Sequence, residues 1–220
     1  MSGSGEILVS EGLVVQRAGG RLLAGLDLRL GAGDMLHLSG PNGVGKTSLL
    51  RTLAGLTPPA GGRMRLMGTD WRADPAGHRA ACLMIAHENA LKPALTVAEN
   101  LRFWAGVWGG GPADLMRARG LFGIDAFWRR PLRSLSQGQK RRVSLARLAF
   151  AGGRVLVLLD EPWVGLDEEA GRALAALVSD LARAGRAVVM TSHQPVPLAG
   201  VPTLALAPFA EAARAGERLP

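Results

Sequence analysis

Eight residues, Gly40-Pro-Asn-Gly-Val-Gly45-Lys46-Thr47, constrain the fold of this chain more than any other stretch. An apolar run, Met35 to Leu38, leads into them. A periodic run from Lys46 to Leu56 leaves them, with Leu49, Leu50 and Leu53 on one face. A glycine-rich turn between a strand and a helix gathers backbone amides around one anion, and the new helix adds its N-terminal dipole. Every fixed position of the eight-residue phosphate-binding loop is filled, in the strand-to-helix context the motif requires. Lys46 can reach the β- and γ-phosphates of a nucleoside triphosphate, and the Thr47 hydroxyl can ligate Mg²⁺. Gly40, Pro41, Asn42, Gly43, Val44, Gly45, Lys46, Thr47 and Ser48 are therefore the candidate triphosphate-binding residues.

Strand signals precede the loop at Ile7 to Val9, Leu13 to Gln16 and Leu26 to Leu30, and Thr57 to Gly62 should end the helix after it. Thr96-x-x-Glu99 has capping-box spacing and should open a helix carrying Leu101, Phe103 and Trp104, with Gly106 to Pro112 as a break. A buried-strand run follows at Val155 to Leu159, then an amphipathic helix from Asp167 to about Ala184 and a last core strand, Ala187 to Thr191. Apolar strands alternating with helices predict an α/β fold with a mainly parallel sheet. The expected organisation is one domain over 1–220, with a core of about 1–87 and 153–220, an N-terminal antiparallel β subdomain, and a helical insert of about 88–152.

Asp160 and Glu161 end the apolar run Leu156 to Leu159. A buried strand that delivers carboxylates at its C-terminal end sets them where ligands of α/β sheets bind. Asp160 is the candidate metal ligand alongside Thr47, and Glu161 the candidate base that takes a proton from the attacking water.

Composition narrows the surroundings. The longest apolar run, Ala80 to Ala86, is seven residues, well short of the roughly 20 a membrane span needs. No signal peptide is visible, and the single cysteine, Cys82, excludes an internal disulfide and suits a reducing compartment. The net charge of +8 comes from 26 Lys and Arg against 18 Asp and Glu, and no basic block is longer than Lys140-Arg141-Arg142. With no nucleic-acid motif beside it, this charge reads as a solvated surface, and no nucleic-acid partner is expected.

Leu135-Ser136-Gln137-Gly138-Gln139 reads locally as a capping box opening a helix from Gln139 to Phe150. Taken with the phosphate loop and Asp160-Glu161, this pentad resembles the signature of ATP-binding-cassette (ABC) ATPases, and the likeness covers nearly the whole chain. The resemblance implies ATP and Mg²⁺ as ligands. It also implies that Ser136, Gly138 and Gln139, at a helix N-terminus, grip the γ-phosphate of an ATP held by a second copy of the chain. Asp167, closing Trp163 to Asp167, matches the loop that follows the base, and His193 in Thr191-Ser-His-Gln194 looks like the switch histidine that contacts the γ-phosphate.

Two positions depart from the general pattern. His87 stands where the family usually places a glutamine that senses the γ-phosphate, and a neutral imidazole can accept from a Mg²⁺-bound water. The adenine-stacking aromatic is missing, and Arg17 lies near its place with a guanidinium that can stack on a purine. His87, residues 135–148 and residues 191–194 resemble the cytochrome c maturation A branch of the family, the ATP-binding subunits of heme exporters. The short length, without room for a regulatory domain, is similar too. The likeness implies transmembrane permease subunits as partners, a peripheral place on the cytoplasmic membrane face, and heme that never touches this chain.

The competing readings are a different small-molecule exporter, a soluble ABC ATPase without membrane partners, and a module that clamps on ATP without hydrolysis. Residues 48–134 leave no room for the coiled coil of many soluble members, and Glu161 with His193 argues for hydrolysis. Phe103, Trp104 and Trp108 should either dock a membrane subunit's coupling helix or staple the insert's own small core.

Overall fold

The computed structural model describes residues 5–18, 20–193 and 195–217. Gln194, the last residue of the Thr191-Ser-His-Gln194 motif, lies outside them. Two sheets organise the chain. In the first, β1 (Glu6–Arg17) pairs antiparallel with β2 (Gly20–Gly31) and β4 (Gly61–Leu66), and β5 (Thr69–Asp70) extends it, in the order β2-β1-β4-β5. In the second, β6 (Cys82–Ile85), β7 (Leu156–Leu159), β8 (Ala187–Thr191), β3 (Met35–Ser39) and β9 (Thr203–Ala205) run parallel, in the order β6-β7-β8-β3-β9. The α/β fold with an antiparallel N-terminal sheet is as the sequence predicts.

Several elements differ in extent. Ile7 to Val9 and Leu13 to Gln16 are one strand interrupted by a bulge, where Gly12 takes φ 57° and its amide donates to Asp27 Oδ1 at 2.6 Å. The helix after the phosphate loop, α1 (Lys46–Leu53), ends three residues earlier than its periodicity predicts. Gly55, in the left-handed region, donates to Thr52 O and Leu56 donates to Arg51 O, both at 2.9 Å, which closes the last turn. Gly61 and Gly62, read as part of a terminator, begin β4 instead. A short helix, α2 (Pro75–Ala80), capped by Asp74, precedes β6.

Between β6 and β7 the chain is helical. α3 (Val97–Trp108) has the predicted capping box: the Glu99 amide donates to Thr96 Oγ1 at 3.2 Å, and the Thr96 amide donates to Glu99 Oε2 at 2.8 Å. That second bond, first among several causes, holds the Glu99 carboxyl below its usual range. α4 (Pro112–Gly120) follows, then irregular 3-10 turns, then α5 (Gln137–Ala146), which runs on as a 3-10 turn to Phe150. α6 (Glu168–Arg183), capped by Asp167, and α7 (Ala207–Glu217) complete the order.

Two buried clusters form the core. One joins α1 to both sheets through Leu49, Leu50 and Leu53, and includes Cys82, whose thiol burial pushes up to about 12. The other is continuous from α3 and α5 (Leu101, Val143, Leu145) through the parallel sheet (Val157, Leu159, Met190) to α6 (Leu174, Val178). The helical segment and the sheet thus share one apolar interior.

On the helical segment the aromatics divide. Trp104 and Trp108 are half-buried against this second cluster and lie 4.8 Å apart, with the buried Arg147 guanidinium 4.6 Å from the Trp104 ring. Phe103 is 42% exposed, touching the edge of Trp104.

Candidate functional site

The parallel sheet gathers the site along one edge. The phosphate loop leaves the C-terminal end of β3, Asp160 and Glu161 that of β7, and His193 that of β8, with His87 two residues beyond β6. These four strands are neighbours and point the same way, so their ends meet over one cleft. Asn42, Gly43, Gly45, Lys46, Thr47 and Ser48 line it, with Arg17 at the end of β1 on one side. His87, Asp160, Glu161 and His193 line the other.

The loop's glycines are required where φ is positive and space is short. Gly45, which caps α1, has φ 114°, and a Cβ there would meet the Leu23 side chain at 3.2 Å. The Val44 side chain turns into the core, leaving only its backbone for a ligand. Lys46 is buried, and its Nζ donates to Gly40 O at 2.7 Å and Pro41 O at 3.3 Å.

Asp160 is 1% exposed and held from two sides. Thr47 Oγ1 donates to Oδ2 at 2.7 Å, and Thr191 Oγ1 donates to Oδ1 at 2.8 Å. The Glu161 amide donates to Thr191 Oγ1 at 2.9 Å. Glu161 takes φ 49°, a conformation that costs a non-glycine residue about 1–3 kcal/mol and persists only where its surroundings fix it. Its carboxylate is buried, and Oε2 has no hydrogen-bond partner among the described residues. His193 Nε2 lies 3.1 Å from Oε1, with its ring half exposed to the cleft. A buried carboxylate with free lone pairs and a histidine beside it is poised to accept a proton.

The signature residues lie elsewhere. Ser136, Gly138 and Gln139 are not in the cleft wall. Ser136 accepts from the Gln139 amide at 3.2 Å, and Gln139 Oε1 accepts from the Ser136 amide at 3.0 Å, the predicted capping box. Gly138 is required by close approach, since a Cβ there would meet Gly165 O at 2.8 Å. Asp167 pairs with Arg142 and caps α6, so it ties the signature helix to the loop that follows Glu161. The site residues predicted from sequence therefore form two groups, one around the phosphate loop and one around the start of α5.

Comparison with known proteins fixes the family. The ABC transporter family profile matches residues 23–164. The cytochrome c biogenesis ATP-binding export protein CcmA of Rhodospirillum rubrum is 43% identical over 204 residues, covering 93% of this chain and 87% of that protein. The protein of that name in Paracoccus denitrificans is 43% identical, covering 92% and 90%. This chain belongs to the CcmA family of ABC transporter ATP-binding proteins. An ABC transporter ATP-binding protein from Pyrococcus furiosus, 23% identical, shares the fold, with a TM-score of 0.77 over 92% of this chain and 98% of that one.

A CcmA-family chain is an ATP-binding and ATP-hydrolysing subunit that works with membrane permease components. Two residues at this one's site escape a sequence reading. Thr191 reads as the end of a core strand and the start of the motif that holds His193, with no role of its own, yet it bonds both Asp160 and the Glu161 amide. Arg141 reads as part of a solvated charge run, yet it is 5% exposed and spans the loops that carry His87 and Glu161. Burial pushes its guanidinium down to about 10, so it stays charged at neutral pH. The signal was available: Arg141 stands four residues before Leu145 and seven before Leu148, on the apolar face of the helix.

Proposed function

We propose that this chain energises the heme-handling exporter of cytochrome c maturation by binding and hydrolysing ATP between two copies of itself. The identity to CcmA proteins over more than nine-tenths of the chain supports the export assignment. The geometry around Asp160, Glu161 and His193 supports hydrolysis. The chain is taken as one domain, with its helical subdomain at about 88–152.

In this reading Gly40 to Ser48 wrap the triphosphate with backbone amides, Lys46 neutralises its outer phosphates, and Arg17 stacks on the base. The hydroxyl of Thr47 and the carboxylate of Asp160 are hard oxygen donors 2.7 Å apart, the type Mg²⁺ takes. No group of three or more His, Cys, Asp or Glu capable of holding a metal occurs among the described residues, which suits a cation completed by phosphate and water. Bound there, Mg²⁺ would supply charge neutralisation at the phosphates. Glu161 orients and deprotonates the attacking water, and His193 contacts the γ-phosphate. Ser136, Gly138, Gln139 and Asp167 serve the ATP of the second copy.

His87 lines the same cleft from an exposed position, with its carbonyl held by Arg141 at 3.2 Å. As the γ-phosphate sensor, it should tolerate glutamine better than alanine, because glutamine restores a neutral acceptor at similar reach. Partner-stimulated ATPase of His87→Gln should exceed that of His87→Ala severalfold. Equal rates would reduce His87 to a lining residue.

No helix among the described residues is long and apolar enough to cross a membrane, which supports a peripheral place at the cytoplasmic face beside permease subunits that contact the heme. Co-purification from solubilised membranes tests this reading directly: the wild-type chain should bring down membrane subunits of the cytochrome c maturation system. The exposed Phe103 belongs to the dock, so Phe103→Asp should lose those partners with an unchanged melting temperature. Trp104→Ala removes a core aromatic instead, at a cost of about 3 kcal/mol. Its melting temperature should fall by about 5–10 °C. A Phe103→Asp chain that keeps its partners would remove the docking assignment.

A further inference from the structure

The signature helix carries a buried cation for which the ATP chemistry described above has no use. Arg141 lies on α5, five residues past Ser136, and its guanidinium divides its donors between two loops. Nη1 donates to Ala86 O at 2.9 Å and His87 O at 3.2 Å. Nη2 donates to Asp160 O at 2.9 Å and Glu161 O at 2.8 Å. None of the ion pairs among the described residues involves it. What it binds is chiefly main chain, at the exits of β6 and β7, with one longer bond from Nη1 to Asn89 Oδ1 at 3.5 Å in the same loop as His87. A planar fork can serve two pairs of carbonyls at once, which the point charge of a lysine cannot do.

That main chain sets the catalytic geometry. Among the described residues the Glu161 carboxylate meets the His193 ring, with Nε2 3.1 Å from Oε1, and its direction otherwise follows from its backbone, which is in the left-handed region. Only Thr191 at the amide and Arg141 at the carbonyl hold that residue's main chain among the polar side chains described. The His87 carbonyl hangs from the same guanidinium. Ser144, one turn further along α5, adds a bond to Asn89 O at 3.2 Å in the same loop.

We infer that Arg141 is a positioning residue that makes the grip of Ser136 on the second copy's ATP felt at Glu161 and His87 of its own chain. The inference rests on the two-chain reading above and adds a route between the two ATP sites. An α-helix rises about 1.5 Å per residue and moves as a rod, so five residues separate the trans-acting cap from the cis-acting clamp by about 7.5 Å. A shift of α5 that seats Ser136 on the second copy's nucleotide therefore moves both loops together. Without the fork the two loops relax separately, and the sites no longer fire in step.

A double-mutant cycle on the full chain separates this from simple structural support. Arg141→Lys should melt near the wild-type temperature and bind Mg²⁺-ATP within about threefold of wild type, while kcat falls about 10–100-fold. Ser136→Ala should lower kcat as well. If Arg141 relays the signature, the double variant should be no more than about threefold slower than the slower single variant. Fold reductions that multiply would overturn the relay, as would a wild-type kcat for Arg141→Lys. A joint loss of melting temperature, ATP affinity and rate would mark Arg141 as structural and also overturn it. Full turnover in Ser136→Ala, with Arg141→Lys still slow, would instead sink the two-chain reading and the relay with it. Arg141→Gln, which keeps two donors, runs in the same cycle in case the lysine variant does not fold.

Discussion

Glu161→Gln should arrest the chain as an ATP-bound dimer. Loss of a general base costs about 10²–10⁴ in rate. Among the described residues the polar neighbour of the Glu161 carboxylate is His193, with Nε2 3.1 Å from Oε1, and glutamine keeps an oxygen for it as well as the size of the side chain. The phosphate loop, the Thr47–Asp160 bond and the signature helix are untouched, and ATP binding should survive. The signature residues do not line the cleft around the phosphate loop, and in the proposed two-chain reading a nucleotide bound there meets Ser136 of a second copy, arranged about a twofold axis. Light scattering should report a dimer with ATP and a monomer with ADP or no nucleotide. A Glu161→Gln chain that stays monomeric at saturating ATP, with its membrane partners present, refutes the sandwich.

Lys46→Ala should abolish turnover. The ammonium is buried at the mouth of α1 and bridges the carbonyls of Gly40 and Pro41, so it both supports the loop and supplies its only side-chain cation. Charge stabilisation at the transferring phosphoryl group is most of what such enzymes contribute. A loss of at least about 10²–10³-fold is expected on the scale of a single preorganised donor, with weaker ATP binding beside it. Turnover within about twofold of wild type would remove the phosphate-loop assignment.

The parts of this chain written in local backbone chemistry were legible from sequence. The phosphate loop, the capping boxes at Thr96 and Ser136, and the Asp167 cap each depend on residues a few positions apart, and each is where the pattern places it. Elements defined by distant partners were harder to read. β6 hides in the apolar run Ala80 to Ala86, because a strand buried against β7 shows no alternation. β9 is three residues long and exists by pairing with β3, more than 160 residues earlier. At the site, the residue types were visible, but their bonds were not. Thr191 and Arg141 matter through contacts made 19 to 55 residues away, which no local spacing encodes. The aromatic stripe of α3 shows both outcomes at once, with Trp104 half-buried against the core and Phe103 outside it.

The apolar interior common to the helical segment and the parallel sheet limits how those parts can move. A lobe with a core of its own can swing on its two connecting strands as a door swings on hinges. Here Leu101, Val143 and Leu145 are buried in one continuous mass with Val157, Leu159 and Met190, so a swing would open a gap in the interior. Any reorientation of α3 and α5 against the sheet must instead be a shear, a small sliding of packed side chains past one another. Such sliding is short in reach, so if the proposed dock on α3 holds, a membrane subunit resting there would feel a nudge in place of a stroke.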